Sequence, residues 1–433
     1  MQLLNKVALP VAVRNDTARL RIAITVFFAA DGFIFASWAV RIPAVKAAIG
    51  ASPASLGIAL LGASGGAIAT MTLTGALCRR FGSPRVVVCG GVWLSLALLL
   101  PALARSALAL GLALVVFGIG YGGLNVAMNS LAVDLVAVMR RPVMPSFHAA
   151  WSLGGLAGSA LGGLAAPSLT PLAHFSLVCL LGLAVTAACG RIVLTTPVPD
   201  AAYAGSSQDG QEGGRAIASD GPAGGGVPGQ AAAAGHPGVW RTVLLLGVIA
   251  LCSTYGEGAI SDWGALHLRA DLGAAAGLAA AGYACFALAE ACGRLAGSWL
   301  LARLGQTRVL VYGGLVTCAG MLAAALSPVL PLALAGFALT GLGVANAFPT
   351  AMARVGALAG PNGVATASTF GYAGFLLGPP IIGFLASAAN LRVALTTVSV
   401  LAVAATALAR LAAPGRGERP GPAADQLTAW EAD

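Results

Sequence analysis

The chain is predicted to fold as an all-α polytopic membrane protein, with twelve transmembrane helices in two pseudo-symmetric six-helix bundles. Three observations predict this. Of its 433 residues, 58% are hydrophobic and only 9% charged, and the mean hydropathy is +0.87. An ordinary soluble domain carries about 25% charge, so the bilayer is the solvent that suits this composition. Apolar stretches long enough to cross a hydrocarbon core of about 30 Å recur along the chain. The pattern of the first half is also repeated in the second.

The stretches fall at 20–40, 54–78, 86–104, 107–135, 146–167 and 171–192, then at 241–263, 275–300, 309–327, 331–353, 364–388 and 393–412. Turn chemistry separates them, as at Arg80-Phe81-Gly82-Ser83-Pro84 and Gly360-Pro361-Asn362-Gly363. The expected organisation is therefore a first bundle over 1–192, a flexible linker over 193–240, a second bundle over 241–413 and a tail over 414–433. The linker and tail are rich in Ala, Gly and Pro and cannot bury a core. The basic leader carries no small-residue cleavage site after the first stretch, which reads as a retained helix.

The net charge of +9 does not indicate nucleic acid, because the basic residues sit in short runs between apolar stretches. With the N-terminus inside, Arg41, Lys46, Arg105, Arg269 and Arg392 fall outside and Arg294 lies within a helix. The rest of the 24 basic residues fall inside. This bias predicts cytoplasmic termini and a cytoplasmic linker. Lys is scarce beside Arg, Ala and Gly, which suits a GC-rich bacterial genome and an inner membrane. The eight cysteines form no C-x-x-C pair and read as small buried hydrophobes.

Arg80-Phe81-Gly82-x-x-Arg85-Val86 recurs 223 residues later as Arg303-Leu304-Gly305-x-x-Arg308-Val309, and Gly118-Ile119-Gly120 recurs as Gly341-Leu342-Gly343. Gly154, Gly158 and Gly163 match Gly374, Gly378 and Gly383, and Asp31-Gly32 matches Glu257-Gly258. Ordered repeats of six helices are a feature of transporters that work by alternating access.

The loop Gly75-Ala-Leu-Cys-Arg79-Arg80-Phe81-Gly82-Ser-Pro-Arg85 resembles the signature loop of the major facilitator superfamily. It departs from it at Arg79, where that loop usually carries Asp, so the charge relay built on that Asp is altered here. Gly120-Tyr-Gly-Gly-Leu-Asn125-Val-Ala-Met-Asn129 and Phe348-Pro349-Thr350 are similar to the fucose-permease-like sugar/proton symporters. Arg141-Pro142-Val-Met-Pro-Ser-Phe-His148-x-x-Trp151-Ser-Leu-Gly154-Gly155 resembles a neighbouring bacterial inner-membrane branch. The resemblance implies the major facilitator fold, secondary transport of a small polar solute with a sugar as one candidate, proton coupling and a monomer. The sugar-permease family carries carboxylates at the positions matching Asn125 and Ala39. Both are absent, so any coupling must run through Asp31 or Glu257.

Ionisable groups within a membrane are costly and mark functional candidates. Asp31 lies about 15 Å into the first helix, and Glu257 is its repeat partner, with Asp262 further along. Glu290 precedes Arg294 by four residues, which predicts a pair on one helix face, either structural or serving as a gate. Asp134 is expected to bridge Arg140 or Arg141 at the cytoplasmic exit, near Arg80 and Arg85. Asn125, Asn129 and Asn346 offer amide donors and acceptors to a solute. His148 reads equally as an interhelical histidine or as a solute ligand. Trp38, Trp151, Trp263, Tyr283 and Tyr372 either line a cavity or form an interfacial belt, the belt being favoured for Trp38 and Trp263.

No cluster has metal-ligand spacing, no Walker loop points to ATP, and no grouped nucleophile and base suggest an enzyme. No cofactor is expected. The rival reading within the same fold is a drug or metabolite efflux antiporter.

Overall fold

The computed structural model describes residues 11–139, 143–196 and 237–413. The first series of helices is α1 (Val11–Ala39), α2 (Ile42–Ile49), α3 (Pro53–Phe81), α4 (Ser83–Ala97), α5 (Leu100–Leu103), α6 (Ala107–Met139), α7 (Met144–Ala165) and α8 (Pro171–Thr195). The second begins with α9 (Pro237–Ala259), widens to a π-helical turn over Ile260–Gly264, and continues as α10 (Ala265–Ala270). It proceeds through α11 (Ala276–Leu295), α12 (Gly297–Leu304), α13 (Gln306–Leu326), α14 (Leu330–Val344), α15 (Ala347–Ala388) and α16 (Leu391–Leu411). No strand occurs among the described residues.

Eleven of the described helical segments are long and apolar enough to cross a membrane. The twelfth predicted stretch, 146–167, is covered by α7, a 22-residue helix whose Gly and Ser content dilutes its hydropathy. One expected loop is corrected. Gly360-Pro361-Asn362-Gly363 lies within helical backbone, because α15 runs without a break from Ala347 to Ala388. Flanking Ala-rich sequence sustains the helix on both sides, against a Pro that removes one backbone hydrogen bond and crowds the carbonyl four residues before it. Most of the linker and all of the tail lie outside the described residues.

The chain divides into two compact units. One takes in the described residues of Met1–Ile49 and Gly62–Gly225, the other those of Gly50–Leu61 and Gly226–Asp433. The second unit thus includes the start of α3. There the backbone N–H of Ala54 donates to Ser387 Oγ at 2.9 Å, and Gly57 packs on Pro379 and Gly383.

The sequence repeat is a repeat of backbone geometry. Gly82 and Gly305 precede α4 and α13 with φ of 85° and 76°, a conformation costing a side-chain-bearing residue about 1–3 kcal/mol. Thr170 and Asn390 cap α8 and α16, accepting from the N–H of Ala173 and Val393. Gly118 of α6 lies against the carbonyl of Ala63, and Gly341 of α14 against that of Phe286. Both members of each contact are displaced by the same 223 residues. Small residues at these points let backbones touch, which supplies the packing that apolar lipid cannot drive.

Candidate functional site

In the second unit, α11 carries Tyr283, Glu290 and Arg294 on one face, seven and four residues apart. Arg294 Nη2 donates to Glu290 Oε1 at 2.8 Å. The same nitrogen lies 3.6 Å from Glu257 Oε1 on α9. Sequence spacing predicted the Glu290–Arg294 pair, and the fold adds Glu257 to it. Two carboxylates therefore meet one guanidinium, with Glu290 and Tyr283 both buried. Glu257 stands just before the π-helical turn, a local widening of the helix often found at functional sites. Within that turn Ser261 Oγ donates to the Gly258 carbonyl at 3.0 Å and lies 3.5 Å from Asp262 Oδ1.

Asn346 is bound to backbone next to this cluster. Its Nδ2 donates to the Gly293 carbonyl at 2.8 Å, and its side-chain oxygen lies over Gly297. It ties the junction of α14 and α15 to the end of α11. Tyr372, on α15, is 38% exposed.

In the first unit, Asp31 is fully buried in α1. The indole Nε1 of Trp151 on α7 donates to its Oδ2 at 3.0 Å. The two helices approach this closely because Gly32 lies on the Trp151 carbonyl and Gly154 on that of Ala29. Asp31 Oδ1 has no hydrogen-bond partner among the described residues.

An aromatic row continues from Trp151. Phe35 tilts against Trp151 at 6.2 Å and stacks on Tyr121 of α6 at 5.3 Å, and Tyr121 stacks on Phe117 at 6.3 Å. Phe117, Tyr121, Asn125 and Asn129 occupy successive fourth positions of α6, which places them on one side of the helix. Asn129 Nδ2 donates to the Asn125 carbonyl at 2.8 Å and lies 3.3 Å from Asn125 Oδ1. His148 is exposed, its ring edge-on to Phe28 at 5.4 Å.

Several expectations are revised. Trp38 and Trp263 are buried at 2% and 0% exposure, not set in an interfacial belt. Trp38 packs on Phe175, and Trp263 fills space beside Gly383. Asp134 is exposed, while Arg140 and Arg141, expected to meet it, lie outside the described residues. Arg80 covers the Phe81 ring at 5.3 Å, and Arg85 Nη1 donates to the Phe81 carbonyl at 3.2 Å.

Sequence reasoning missed two buried polar clusters. Arg41, counted with the outer segments, is 2% exposed. Its Nε donates to His174 Nδ1 at 3.0 Å and its Nη1 to the Leu169 carbonyl at 3.1 Å. His267 is fully buried, with Nδ1 2.7 Å from Asp271 Oδ2 and Nε2 3.1 Å from the Ala324 carbonyl. The spacing of four between His267 and Asp271 was a visible signal, whereas nothing in the sequence pairs Arg41 with His174. Phe35 and Tyr121 were also missed, although Phe35 follows Asp31 by four residues and Tyr121 precedes Asn125 by four. Among the described residues no group of three or more His, Cys, Asp or Glu side chains could hold a metal ion.

The family model described as Major Facilitator Superfamily matches residues 22–263 and 246–432. An uncharacterised MFS-type transporter of Yersinia pestis is 33% identical over 388 residues, 89% of this chain and 93% of its own. An uncharacterised transporter of Sinorhizobium fredii is 33% identical over 385 residues, covering 88% of this chain and 95% of its own. The membrane protein MosC of Rhizobium meliloti is 28% identical over 395 residues, 90% and 89% of the two chains. Two solved structures share the fold. A bacterial homologue of the human lysosomal transporter Spinster superposes with a TM-score of 0.69 at 16% identity, over 90% of this chain and 95% of that one. The nucleoside transporter NupG gives 0.64 at 14% identity, over 91% and 98%.

Proposed function

The chain belongs to the Major Facilitator Superfamily, and from that premise we propose that it is a proton-coupled symporter of a small polar organic solute, a sugar-like molecule being the leading candidate. That it is a secondary transporter and not an enzyme follows from the family. Coupling, direction and solute class are the proposal. On this reading the protein works as a monomer in a bacterial inner membrane with both termini cytoplasmic.

One observation carries the coupling. Glu257 and Glu290 converge on a single nitrogen of Arg294, so one guanidinium faces two carboxylates inside a membrane-spanning pair of helices. One negative charge is left over, and an uncompensated charge in this setting is expensive. A proton is the smallest cation that cancels it. Protonation of Glu257 loosens its hold on Arg294 without breaking the closer Glu290 contact. The half-buried Asn125 and Asn129 supply amide groups that suit hydroxyl-bearing solutes.

The test uses purified protein in liposomes holding a trapped pH-sensitive dye. Monosaccharides, polyols, amino sugars and nucleosides are added outside. At least one is expected to acidify the lumen. Glu257→Gln should abolish that acidification while retaining counterflow exchange of the same solute. Acidification undiminished in Glu257→Gln would remove Glu257 as the proton carrier. Solute entry that follows no proton gradient in the wild type would end the symport reading.

A further inference from the structure

We propose that Asp31 and the aromatic row beside it form a recognition site for a protonated amine, so that the solute carries an ammonium group on a small polar frame. This rests on the transport reading above and adds to it the charge of the cargo.

Asp31 has two carboxylate oxygens in a fully buried setting. One accepts the Trp151 indole N–H. The other is buried without a partner among the described residues. A buried carboxyl group held by one neutral donor is left with hydrogen-bonding capacity unmet and no charge partner. Unlike Glu257 and Glu290, it has no guanidinium within ion-pair distance among the described residues. Arg41, two residues past the end of α1, is bound through Nε and Nη1 to His174 and the Leu169 carbonyl.

The groups around Asp31 point to an organic cation. Phe35, Tyr121 and Trp151 are half-buried; Phe35 packs on both other rings, and Trp151 touches the carboxylate. The faces of aromatic rings attract cations, Trp most strongly, and more so when water is excluded. A carboxylate and three adjoining rings complement an ammonium in charge and its carbon frame in surface. Asn125, one turn beyond Tyr121 on α6, is placed to read polar groups on that frame. A neutral solute would leave Asp31 Oδ1 either unpaired or paired with a hydroxyl, which cancels no charge. The indole N–H on Oδ2 orients the carboxylate and leaves Oδ1 for the cargo.

The experiment is a thermal-unfolding assay of the purified full-length protein, with no gradient and hence no dependence on coupling. The probes are two matched pairs, glucosamine against glucose and the quaternary amine choline against 3,3-dimethyl-1-butanol, at a pH where glucosamine is protonated. A ligand that binds the folded state raises its melting temperature. At least one amine is expected to stabilise the wild type at concentrations at least tenfold lower than its neutral partner. Asp31→Asn should erase that difference, whereas Gly65→Val, a substitution into open space, should keep it. Equal stabilisation by amine and neutral partner, or none by either amine, overturns the proposal. So does an amine preference that survives in Asp31→Asn. Should Asp31→Asn not fold, Trp151→Phe gives the second reading. It takes away the donor that orients the carboxylate and the ring that attracts cations most strongly, so the amine should bind more weakly than in the wild type. Unchanged or tighter amine binding in that variant would also overturn the proposal. Loss of proton coupling in Glu257→Gln alongside a failed amine preference would leave the symport reading standing and remove only this one.

Discussion

Arg294 Nη2 sits 2.8 Å from Glu290 Oε1, one helical turn away on α11. The contact is partly sheltered, with Arg294 26% and Glu290 3% exposed. Removing one member of a buried pair strands the other charge, at a cost of about 3–5 kcal/mol, while removing both is far cheaper. Arg294→Gln should therefore lower the yield of folded protein more than the double variant Arg294→Gln/Glu290→Gln. Monodisperse yield in detergent and the melting temperature measure this. Additive losses would show that the two side chains act separately.

The repeat-related contacts of Gly118 on Ala63 and of Gly341 on Phe286 bring backbone against backbone. A Cβ at either glycine would overlap a carbonyl oxygen, and main chain cannot step aside as a side chain can. Gly118→Val and Gly341→Val should each destabilise by about 1–3 kcal/mol or more. Gly65→Val, at a position whose Cβ would meet open space, is the control and should be tolerated. Thermal unfolding of the three variants decides the point.

Asn346 and Asn125 are both amides on transmembrane helices, but only Asn346 has its amide nitrogen committed to another helix. Asn346→Ala frees the Gly293 carbonyl and should cost about 1–3 kcal/mol of stability, with solute affinity unchanged. Asn125→Ala should leave the melting temperature within about 0.5 kcal/mol equivalent of the wild type and weaken solute binding. Reversed outcomes in a combined melting and binding assay would move the solute contact to Asn346.

Arg41 and His174 join the end of α1 to the start of α8. His174→Phe keeps the ring but removes the acceptor from a nearly fully buried guanidinium, so the protein should lose about 1–3 kcal/mol. Arg41→Met, which removes the charge itself, should be less harmful than His174→Phe, because no stranded cation remains. Denaturation midpoints of the two variants give the comparison, and a costlier Arg41→Met would show that the tie to the carbonyls of Ala166 and Leu169 outweighs the histidine.

The sequence by itself determined the solvent, the all-helical class and the repeat. Each depends on local quantities: apolar run length for Ala107–Met139, a charge excess in short loops, and a glycine where φ must be positive, at Gly82 and Gly305. It also determined the Glu290–Arg294 pair, because residues four apart on a helix are neighbours wherever that helix lies. The backbone of α15 through Gly360–Gly363 was not legible, since turn-forming residues there are overruled by the helix on either side.

Only the tertiary structure decided which of these residues meet across helices. Glu257 reaches Arg294 across 37 residues of sequence, Trp151 reaches Asp31 across 120, and Arg41 reaches His174 across 133. Such contacts depend on the rotation of each helix about its own axis. That rotation is set by where glycines let two backbones touch, a property of helix pairs. In a chain whose helices are apolar on nearly every side, the sequence of one helix does not mark which face it turns inward.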